Sequence, residues 1–369
     1  MTSNSVDIFN DPFFFEKLFS NSDNRRWLFD KTAVEKQIKT WTNSLPWIRP
    51  YYAMKANPSP ELLDTLMSDG KVGIDVASFQ EINTALEYTN KDNIIYTNPH
   101  MIPYEIPSIK NTDITIKVVD SMNEMKKLVA NQFFPDVLIR LKSNIHDANC
   151  AFDSKFGCDT NEALIIIEYA KINNIRIRGV SFHIGSGGNF DRNIAYQKAI
   201  SNAGDILDKI ENPILDLGGG LLYNTDLEEA LGWTKNLPYT LIAEPGRYYA
   251  APAYHLKLQV IAKTDRGIFL DNGIYQELNV YHRDHWKFPM LTHYYDHETG
   301  IIEEIHDYVT VDIFGPTCDS YDVMEKIQFP SDIQTNDYIF LSNMGAYTSA
   351  GAVDFNGIVS ASNSISVQL

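Results

Sequence analysis

The sequence predicts an α/β protein in which a closed (β/α)8 barrel of the TIM type is followed by a mostly antiparallel β domain. Short apolar runs alternate with amphipathic segments over roughly the first 250 residues, and strands that alternate with helices form a parallel sheet. Eight such units fit the length of a closed barrel, about 250 residues. An open doubly wound sheet is the alternative, but no G-x-G-x-x-G motif follows the first run.

Each predicted strand is a run of β-branched, aromatic or small apolar residues. In chain order the runs are 51–57, 72–78, 94–99, 116–121, 137–143, 177–185, 214–220 and 240–247. Amphipathic segments lie between them, and several begin with a Ser or Thr that can cap a helix. In "PSPELL", Pro60 stands at a predicted first helical position, where its missing N–H costs no hydrogen bond.

The pattern changes after residue 250. The stretches "HLKLQVIAKT", "GIFLDNGIY" and "DYVTVDIFGPT" are β-rich, with few helical segments between them. We therefore predict a barrel domain over 25–250 and a β-sandwich-like domain over 251–369, which the N-terminal segment 1–24 joins.

Composition narrows the classes of function. The chain of 369 residues has a net charge of −17, which would repel nucleic acid and anionic membranes. No apolar run approaches the roughly 20 residues that span a bilayer, and the start of the chain lacks the features of a signal peptide. Three cysteines, Cys150, Cys158 and Cys318, are too few for a disulfide framework. We expect a cytoplasmic protein without a nucleic-acid or membrane partner.

Polar residues end most of the predicted barrel strands. They are Lys55, Asp75, Asn98, Arg140, His183, Gly218–Gly220 and Glu244. The carboxyl ends of barrel strands meet at one face, where active sites are built. These residues are therefore the candidates for a functional site.

Three of these features suggest a pyridoxal phosphate (PLP) site. Lys55 is either a lysine that snorkels to solvent or a desolvated amine that forms a Schiff base. The glycines Gly218–Gly220 and Arg247 form either a tight turn with a structural arginine or a phosphate site, which barrels often carry after strands 7 and 8. Glu244 either pairs with Arg247 or faces the ring nitrogen of the cofactor. The spacing alone leaves each alternative open, and it predicts no metal site.

The chain resembles the fold-type III PLP-dependent decarboxylases of basic amino acids, an alanine racemase/ornithine decarboxylase-like group, and most closely the ornithine decarboxylases. The matching stretches run in family order over nearly the whole chain: "YYAMKANP", "GIDVASFQEI", "NPHM", "FHIGSG", "LDLGGG", "AEPGRYYAAPAY", "FGPTCDSYD" and "MGAYTSAGAVDFNG".

The resemblance implies a role for each matching residue around PLP. Lys55 would hold the cofactor covalently, Glu244 would pair with its ring nitrogen, and His183 would lie flat against its ring. The remaining positions match contacts to the phosphate or the ring: Asp75, Ala77, Arg140, Ser186, Gly218, Gly219, Gly220, Gly246, Arg247 and Tyr347.

The resemblance also implies a reaction and a partner. Cys318 matches the family's donor of the proton that returns to the substrate after CO2 leaves, and a thiol has a suitable acidity for that step. Because the loop that carries this cysteine enters the partner's active site in the family, the resemblance implies a homodimer with shared sites.

The implied substrate is a basic amino acid, with L-ornithine converted to putrescine in polyamine biosynthesis. Asp284 and Asp319 match carboxylates that bind a distal ammonium group, and Phe355 matches a further substrate contact. The sequence reads "RDH" at 283–285 where ornithine-type enzymes have "YDH", so L-lysine or L-arginine stays an alternative. Diaminopimelate decarboxylases favour "CES" where this chain has "CDS".

Other classes of protein remain as competing hypotheses. An inactive binding protein like the antizyme inhibitors would have lost cofactor or catalytic residues, yet Lys55, His183, Glu244, Arg247 and Cys318 are all present. An alanine-type racemase would use a tyrosine in place of the "GPTCD" loop. A sugar-phosphate enzyme without PLP would lack the absorption band of a lysine-bound cofactor.

Overall fold

The computed structural model describes residues 27–145, 153–188 and 190–360, and the backbone of 367–368. The chain divides into two compact units, one formed by Glu35–Tyr249 and one by Met1–Val34 with Ala250–Leu369. The domain limits 25–250 and 251–369 stay a prediction. The N-terminal segment 1–24 and Cys150 lie outside the described residues.

The first unit contains a closed barrel of eight parallel strands, which confirms the predicted fold class. The order around the barrel follows the chain, and the first strand pairs with the last through Ile48 and Leu241. The strands are β2 (Ile48–Ala53), β3 (Gly73–Val76), β4 (Ile94–Tyr96), β5 (Ile116–Val119), β6 (Asp136–Arg140), β7 (Ile177–Ser181), β8 (Ile214–Asp216) and β9 (Thr240–Ala243).

Helices follow the strands, as the alternation of the sequence predicts. They are α1 (Lys31–Ser44), α2 (Pro60–Met67), α3 (Phe79–Tyr88), α4 (Ile106–Asn111), α5 (Met122–Ala130), α6 (Thr160–Ile172), α7 (Arg192–Leu207), α8 (Leu227–Leu231) and α9 (Arg247–Ala250). Ser78 and Ser121 cap α3 and α5 by accepting a hydrogen bond from a backbone N–H, and Pro60 opens α2.

The barrel interior is filled by an apolar layer from alternate strand positions. Because successive strand residues point to opposite faces, one residue in two faces the barrel axis. The buried residues of this layer are Tyr51, Ile95, Val118, Leu138, Ile214 and Ile242, with Ile116 packed against them. This layer closes the barrel below its carboxyl-end mouth.

The second unit is built around a mostly antiparallel sheet of nine strands, as predicted. Its central path is β13 (Ile301–Glu304), β12 (His293–Asp296), β16 (Tyr338–Leu341), β10 (Tyr254–Thr264), β11 (Gly267–Leu270), β14 (Tyr308–Phe314) and β15 (Val323–Pro330). The strands β1 (Trp27–Phe29) and β17 (Val367–Gln368) lie off this path, and the short helix α10 (Val280–Arg283) follows β11 in the chain.

The strand β1 precedes the barrel in the chain but belongs to this sheet. Its three residues are buried and pair antiparallel with Tyr254–Leu256 of β10. They lie inside the range 25–250 that the sequence pattern suggested for the barrel. Local periodicity identifies a strand but not its distant partner. Among the described helices, none has the length and apolar character needed to cross a bilayer.

Candidate active site

A polar layer lies directly above the apolar layer of the barrel. Its residues each stand two positions after an inward-facing apolar residue, so the strand alternation points them inward as well. All five are buried: Thr97, Asp120, Arg140, Asp216 and Glu244. On these five strands the inward-facing residue thus changes from apolar to polar at the carboxyl end, and on four of them it is ionisable. This arrangement concentrates charge at one face of the barrel.

Lys55 and Asp75 face each other across the first two barrel strands. Lys55 lies in the short 3-10 turn Met54–Ala56 after β2, and its Nζ is 4.0 Å from Oδ2 of Asp75. The Lys55 side chain is 47% exposed, so the described residues do not by themselves desolvate its amine. The turn raises this side chain above the buried layer into the open mouth.

Asp75 is itself buried and accepts a hydrogen bond from the Thr97 hydroxyl. Its burial, and to a smaller extent the nearby Glu244 carboxyl, raises the pKa of Asp75 to about 8, although Lys55 and Thr97 act in the opposite direction. Lys55 therefore lies beside a carboxyl group that takes up a proton near neutral pH.

Glu244 and Asp216 form a buried pair of carboxyl groups on neighbouring strand ends. Burial raises the pKa of Glu244 well above its usual range, and the adjacent Asp216 raises it further. One oxygen of Glu244, Oε1, is buried without a hydrogen-bond donor among the described residues. The two oxygens of a buried carboxyl offer several acceptor sites, so Glu244 can receive an N–H group from a ligand as well as an O–H group from a neighbour.

His183 follows the end of β7 and is held by its own loop. Its Nδ1 accepts a hydrogen bond from the Gly185 N–H at 2.9 Å, so the neutral ring carries its proton on Nε2. The residue is partly buried, and desolvation of the ring, together with Arg140 and Lys55, lowers the pKa of His183 well below its usual range. The imidazole is therefore neutral at physiological pH.

The three glycines after β8 form a braced loop. Gly218 and Gly220 have φ of +61° and +116°, which favours glycine. Each glycine carbonyl accepts one hydrogen bond. The donor to Gly218 is the Glu244 N–H at 2.8 Å, the donor to Gly219 is the Tyr196 hydroxyl at 3.0 Å, and the donor to Gly220 is Nε of Arg192 at 2.9 Å. With the carbonyls engaged, the N–H groups of Gly219 and Gly220 are the ones suited to an anion.

The absence of side chains in the glycine loop lets the backbone and side chain of the loop after β7 approach it closely. A Cβ on Gly219 would lie 2.8 Å from Nε2 of His183, and one on Gly218 would collide with the Phe182 carbonyl oxygen. Nη2 of Arg247 lies 3.3 Å from the Ser186 hydroxyl, so two predicted phosphate contacts from different strands lie together. This loop and this pair of side chains fit the phosphate group of PLP.

Three further predicted residues belong to the barrel mouth. Arg140 is buried, with its guanidinium 5.2 Å from the centre of the Phe156 ring. The N–H of Ala77 donates to the Glu81 carboxylate at 2.6 Å, which ties the end of β3 to α3. Gly246 is buried and precedes α9, where its carbonyl accepts from the Tyr249 N–H at 3.2 Å.

The second unit holds the predicted residues Cys318, Asp319 and Phe355 close together. Cys318 is an exposed thiol whose backbone N–H donates to the Asn356 side chain at 3.0 Å. The Tyr275 hydroxyl donates to Asp319, and the Tyr275 ring stacks on Phe355 with 4.3 Å between ring centres. The hydrogen bond from Tyr275 lowers the pKa of Asp319, so this carboxylate stays ionised.

The last two predicted residues lie at special backbone positions of the second unit. Asp284 ends α10, and its N–H donates to the Val280 carbonyl at 3.0 Å. Tyr347 has φ of +62°, a left-handed conformation that bulky side chains rarely adopt. Such strained residues often occur at functional sites.

Sequence reasoning missed two residues that organise these groups. Asp216 was visible in "ILDLGGG", and its position two residues after Ile214 was the available signal. Asp322 is buried in the second unit, where its carboxylate accepts hydrogen bonds from Ile274 and Thr317 next to Cys318. No local pattern distinguishes Asp322 from an exposed loop aspartate.

Comparison with known proteins gives consistent matches. The family model described as "Pyridoxal-dependent decarboxylase, pyridoxal binding domain" matches residues 31–251. Ornithine decarboxylase of Saccharomyces cerevisiae is 31% identical over 373 residues, which cover 91% of this chain and 79% of the relative.

Solved structures also match over almost the full length of the chain. The arginine decarboxylase of Paramecium bursaria Chlorella virus, bound to agmatine, has a TM-score of 0.83 at 26% identity, covering 93% of this chain and 96% of the other. The lysine/ornithine decarboxylase of Vibrio vulnificus, complexed with cadaverine, has a TM-score of 0.80 at 27% identity, covering 100% and 99%.

Proposed function

This chain belongs to the family of pyridoxal-dependent decarboxylases, and on that basis we propose that it releases CO2 from L-ornithine to form putrescine in polyamine biosynthesis. One observation carries the proposal: a lysine amine, a buried carboxyl pair and a braced glycine loop with an arginine all lie at the same barrel mouth. Those three groups match the aldehyde, the ring nitrogen and the phosphate of PLP.

When bound, PLP supplies an electron sink for the electron pair that remains on the α-carbon after CO2 leaves. Lys55 holds the cofactor through its amine, and Glu244 keeps the ring nitrogen protonated. The neutral His183 ring would contact the cofactor without adding charge to it. Ser186, Arg247 and the N–H groups of the glycine loop bind the phosphate, which fixes the orientation of the ring.

The other mouth residues complete the proposed cofactor site. Asp75, Ala77 and Arg140 would contact the ring and its hydroxyl, and Gly246 and Tyr347 would contribute to phosphate binding. The strained backbone at Tyr347 supports a functional role for that residue.

We further propose that Cys318 returns a proton to the α-carbon and that Asp319 binds the distal ammonium of the substrate, with Asp284 as a second carboxylate and Phe355 as an apolar contact. The ionised state of Asp319 supports its part, because a fixed anion attracts an ammonium group. As the family resemblance implies, the loop of Cys318 and Asp319 acts in the site of the partner subunit of a homodimer.

The same chemistry on L-lysine or L-arginine is the second candidate. The similarity to an arginine decarboxylase bound to agmatine and to a lysine/ornithine decarboxylase complexed with cadaverine supports it. Each of these amino acids offers one distal cation to the same carboxylates. We also propose a cytoplasmic location, because both described cysteines, Cys158 and Cys318, are free thiols.

The test is CO2 release from the PLP-loaded protein with L-ornithine, L-lysine, L-arginine and meso-diaminopimelate offered separately. We expect the highest kcat/KM with L-ornithine. A preference for lysine or arginine would keep the reaction and change the substrate. No release from any of the four, with the cofactor bound, would refute the decarboxylase function.

The residue roles need a paired variant. Asp284→Asn should raise KM for the preferred amino acid by tenfold or more, because loss of one charge-assisted contact costs about 1.5–3 kcal/mol. Asp296→Asn, in β12 of the same unit, should leave KM unchanged. Equal KM values for the two variants would remove Asp284 from the proposed substrate site.

A further inference from the structure

Asp216 is a fully buried carboxyl group that the proposed function does not use. It ends β8 with its side chain in the inward phase of Ile214. Its Oδ1 accepts the Gly218 N–H at 2.9 Å, and the Ser181 hydroxyl also bonds to it. On the neighbouring strand end, the Glu244 carboxyl lies within hydrogen-bond reach.

Two carboxyl groups in this position require a proton between them. One oxygen of each, Oδ2 of Asp216 and Oε1 of Glu244, is buried without an N–H or O–H donor among the described residues. Two ionised carboxylates in contact repel each other, and burial removes the water that would screen them. A shared proton satisfies both oxygens and leaves the pair with one negative charge.

The surrounding donors decide which group carries that proton in the free barrel. Asp216 accepts from Gly218 and Ser181, and both hydrogen bonds stabilise its ionised form. Glu244 receives no such donor at Oε1 from the described residues, so it carries the proton and donates it to Asp216. The other titratable groups that face the pair are Lys55, Asp75, Arg140, Tyr51 and Tyr196.

A cationic ring nitrogen beside Glu244 reverses this preference. A positive N–H group stabilises the ionised form of Glu244, because opposite charges in a desolvated site attract strongly. If Asp216 stayed ionised as well, two buried anions would adjoin one cation. Transfer of the proton to Asp216 restores a balance of one negative and one positive charge.

We propose that Asp216 is a positioning residue that shares a single proton with Glu244: the proton lies on Glu244 in the free barrel and on Asp216 when the protonated ring nitrogen of PLP faces Glu244. The proton on the ring nitrogen comes from solvent, so the pair neither gains nor loses one. This inference rests on the proposed role of Glu244 as partner of the ring nitrogen.

The test is infrared difference spectroscopy of the full-length protein, PLP-bound minus free, with ¹³C in the carboxyl groups of either all aspartates or all glutamates. We expect the carboxylic-acid band lost on binding to shift with the glutamate label and the band gained to shift with the aspartate label. In Asp216→Asn the gained aspartate band should be absent. Asp120→Asn, a buried carboxyl of the same polar layer that does not contact Glu244, should retain both bands.

Ring ¹⁵N NMR of labelled PLP on the wild-type protein separates two kinds of failure. A protonated nitrogen without a gained aspartate band, or with one that persists in Asp216→Asn, would overturn the shared proton and leave the role of Glu244 intact. An unprotonated nitrogen would overturn the role of Glu244 and this inference with it. If Asp216→Asn does not fold, the isotope shifts of the wild-type protein still show whether a glutamate loses the proton and an aspartate gains it on PLP binding.

Discussion

Removing the buried carboxylate of Asp322 should destabilise the loop that carries Cys318 and Asp319. Its oxygens accept hydrogen bonds from the Ile274 N–H at 2.9 Å, the Thr317 N–H at 3.1 Å and the Thr317 hydroxyl at 2.7 Å. A Cβ on either Gly273 or Gly315 would collide with this carboxylate. The pocket around Asp322 is therefore matched to this side chain.

The magnitude follows from these three hydrogen bonds. Each bond to a charged group contributes about 1.5–3 kcal/mol, and the bonds are not additive because they end on the two oxygens of one carboxylate. We therefore expect Asp322→Ala to lower the free energy of unfolding by about 3–5 kcal/mol, since it leaves three partly buried donors unsatisfied. Asp322→Asn keeps one acceptor oxygen and should cost about 1–2 kcal/mol.

Urea unfolding followed by circular dichroism measures this loss. Asp265→Ala, an exposed aspartate of the turn after β10, is the matched control and should stay within about 0.5 kcal/mol of wild type. A loss below about 1 kcal/mol for Asp322→Ala would contradict the argument that this carboxylate organises the loop.

Three further predictions concern the barrel mouth and the thiols. Gly218→Ala should weaken PLP binding in a fluorescence titration by tenfold or more, because of the positive φ and the Phe182 carbonyl, whereas Gly204→Ala, with open space around it, should not. The pKa of Asp75 is raised in the folded state to about 8, so folding holds a proton that the unfolded chain releases above about pH 4. As the pH rises from about 4 to about 8, the wild-type protein should therefore lose stability relative to Asp75→Asn, which thermal melts at both ends of that range would show. Alkylation at pH 8 with peptide mapping should modify the exposed Cys318 but not Cys158, since burial raises the pKa of Cys158 to about 12; equal labelling would contradict this.

The barrel could be predicted from the sequence because its information is local. Each strand shows its own alternation, and Lys55, His183 and Glu244 stand at strand ends that topology brings to one face. The same alternation also shows which residues of each strand face inward, and it would have identified Asp216.

What could not be predicted depends on contacts between distant segments. The pairing of β1 with β10 joins residues on opposite sides of the barrel sequence. The exposure of Lys55 depends on the 3-10 turn that follows β2, which the apolar run in "YYAMKAN" conceals. The proton shared by Asp216 and Glu244 depends on the register of two neighbouring strands and on the donors from Gly218 and Ser181.

The pairing of β1 with β10 gives the barrel the topology of an insertion. A ribosome completes the barrel sequence before it makes β10, so the barrel can close while β1 still lacks its partner. The N–H of Asp30 donates to the Ala253 carbonyl at 2.8 Å, which ties together the points where the chain leaves the sheet and returns to it. The sheet must therefore wait for a long-range contact, the slow kind of step in folding. Synthesis order thus places the cofactor-binding barrel before the sheet that carries Cys318.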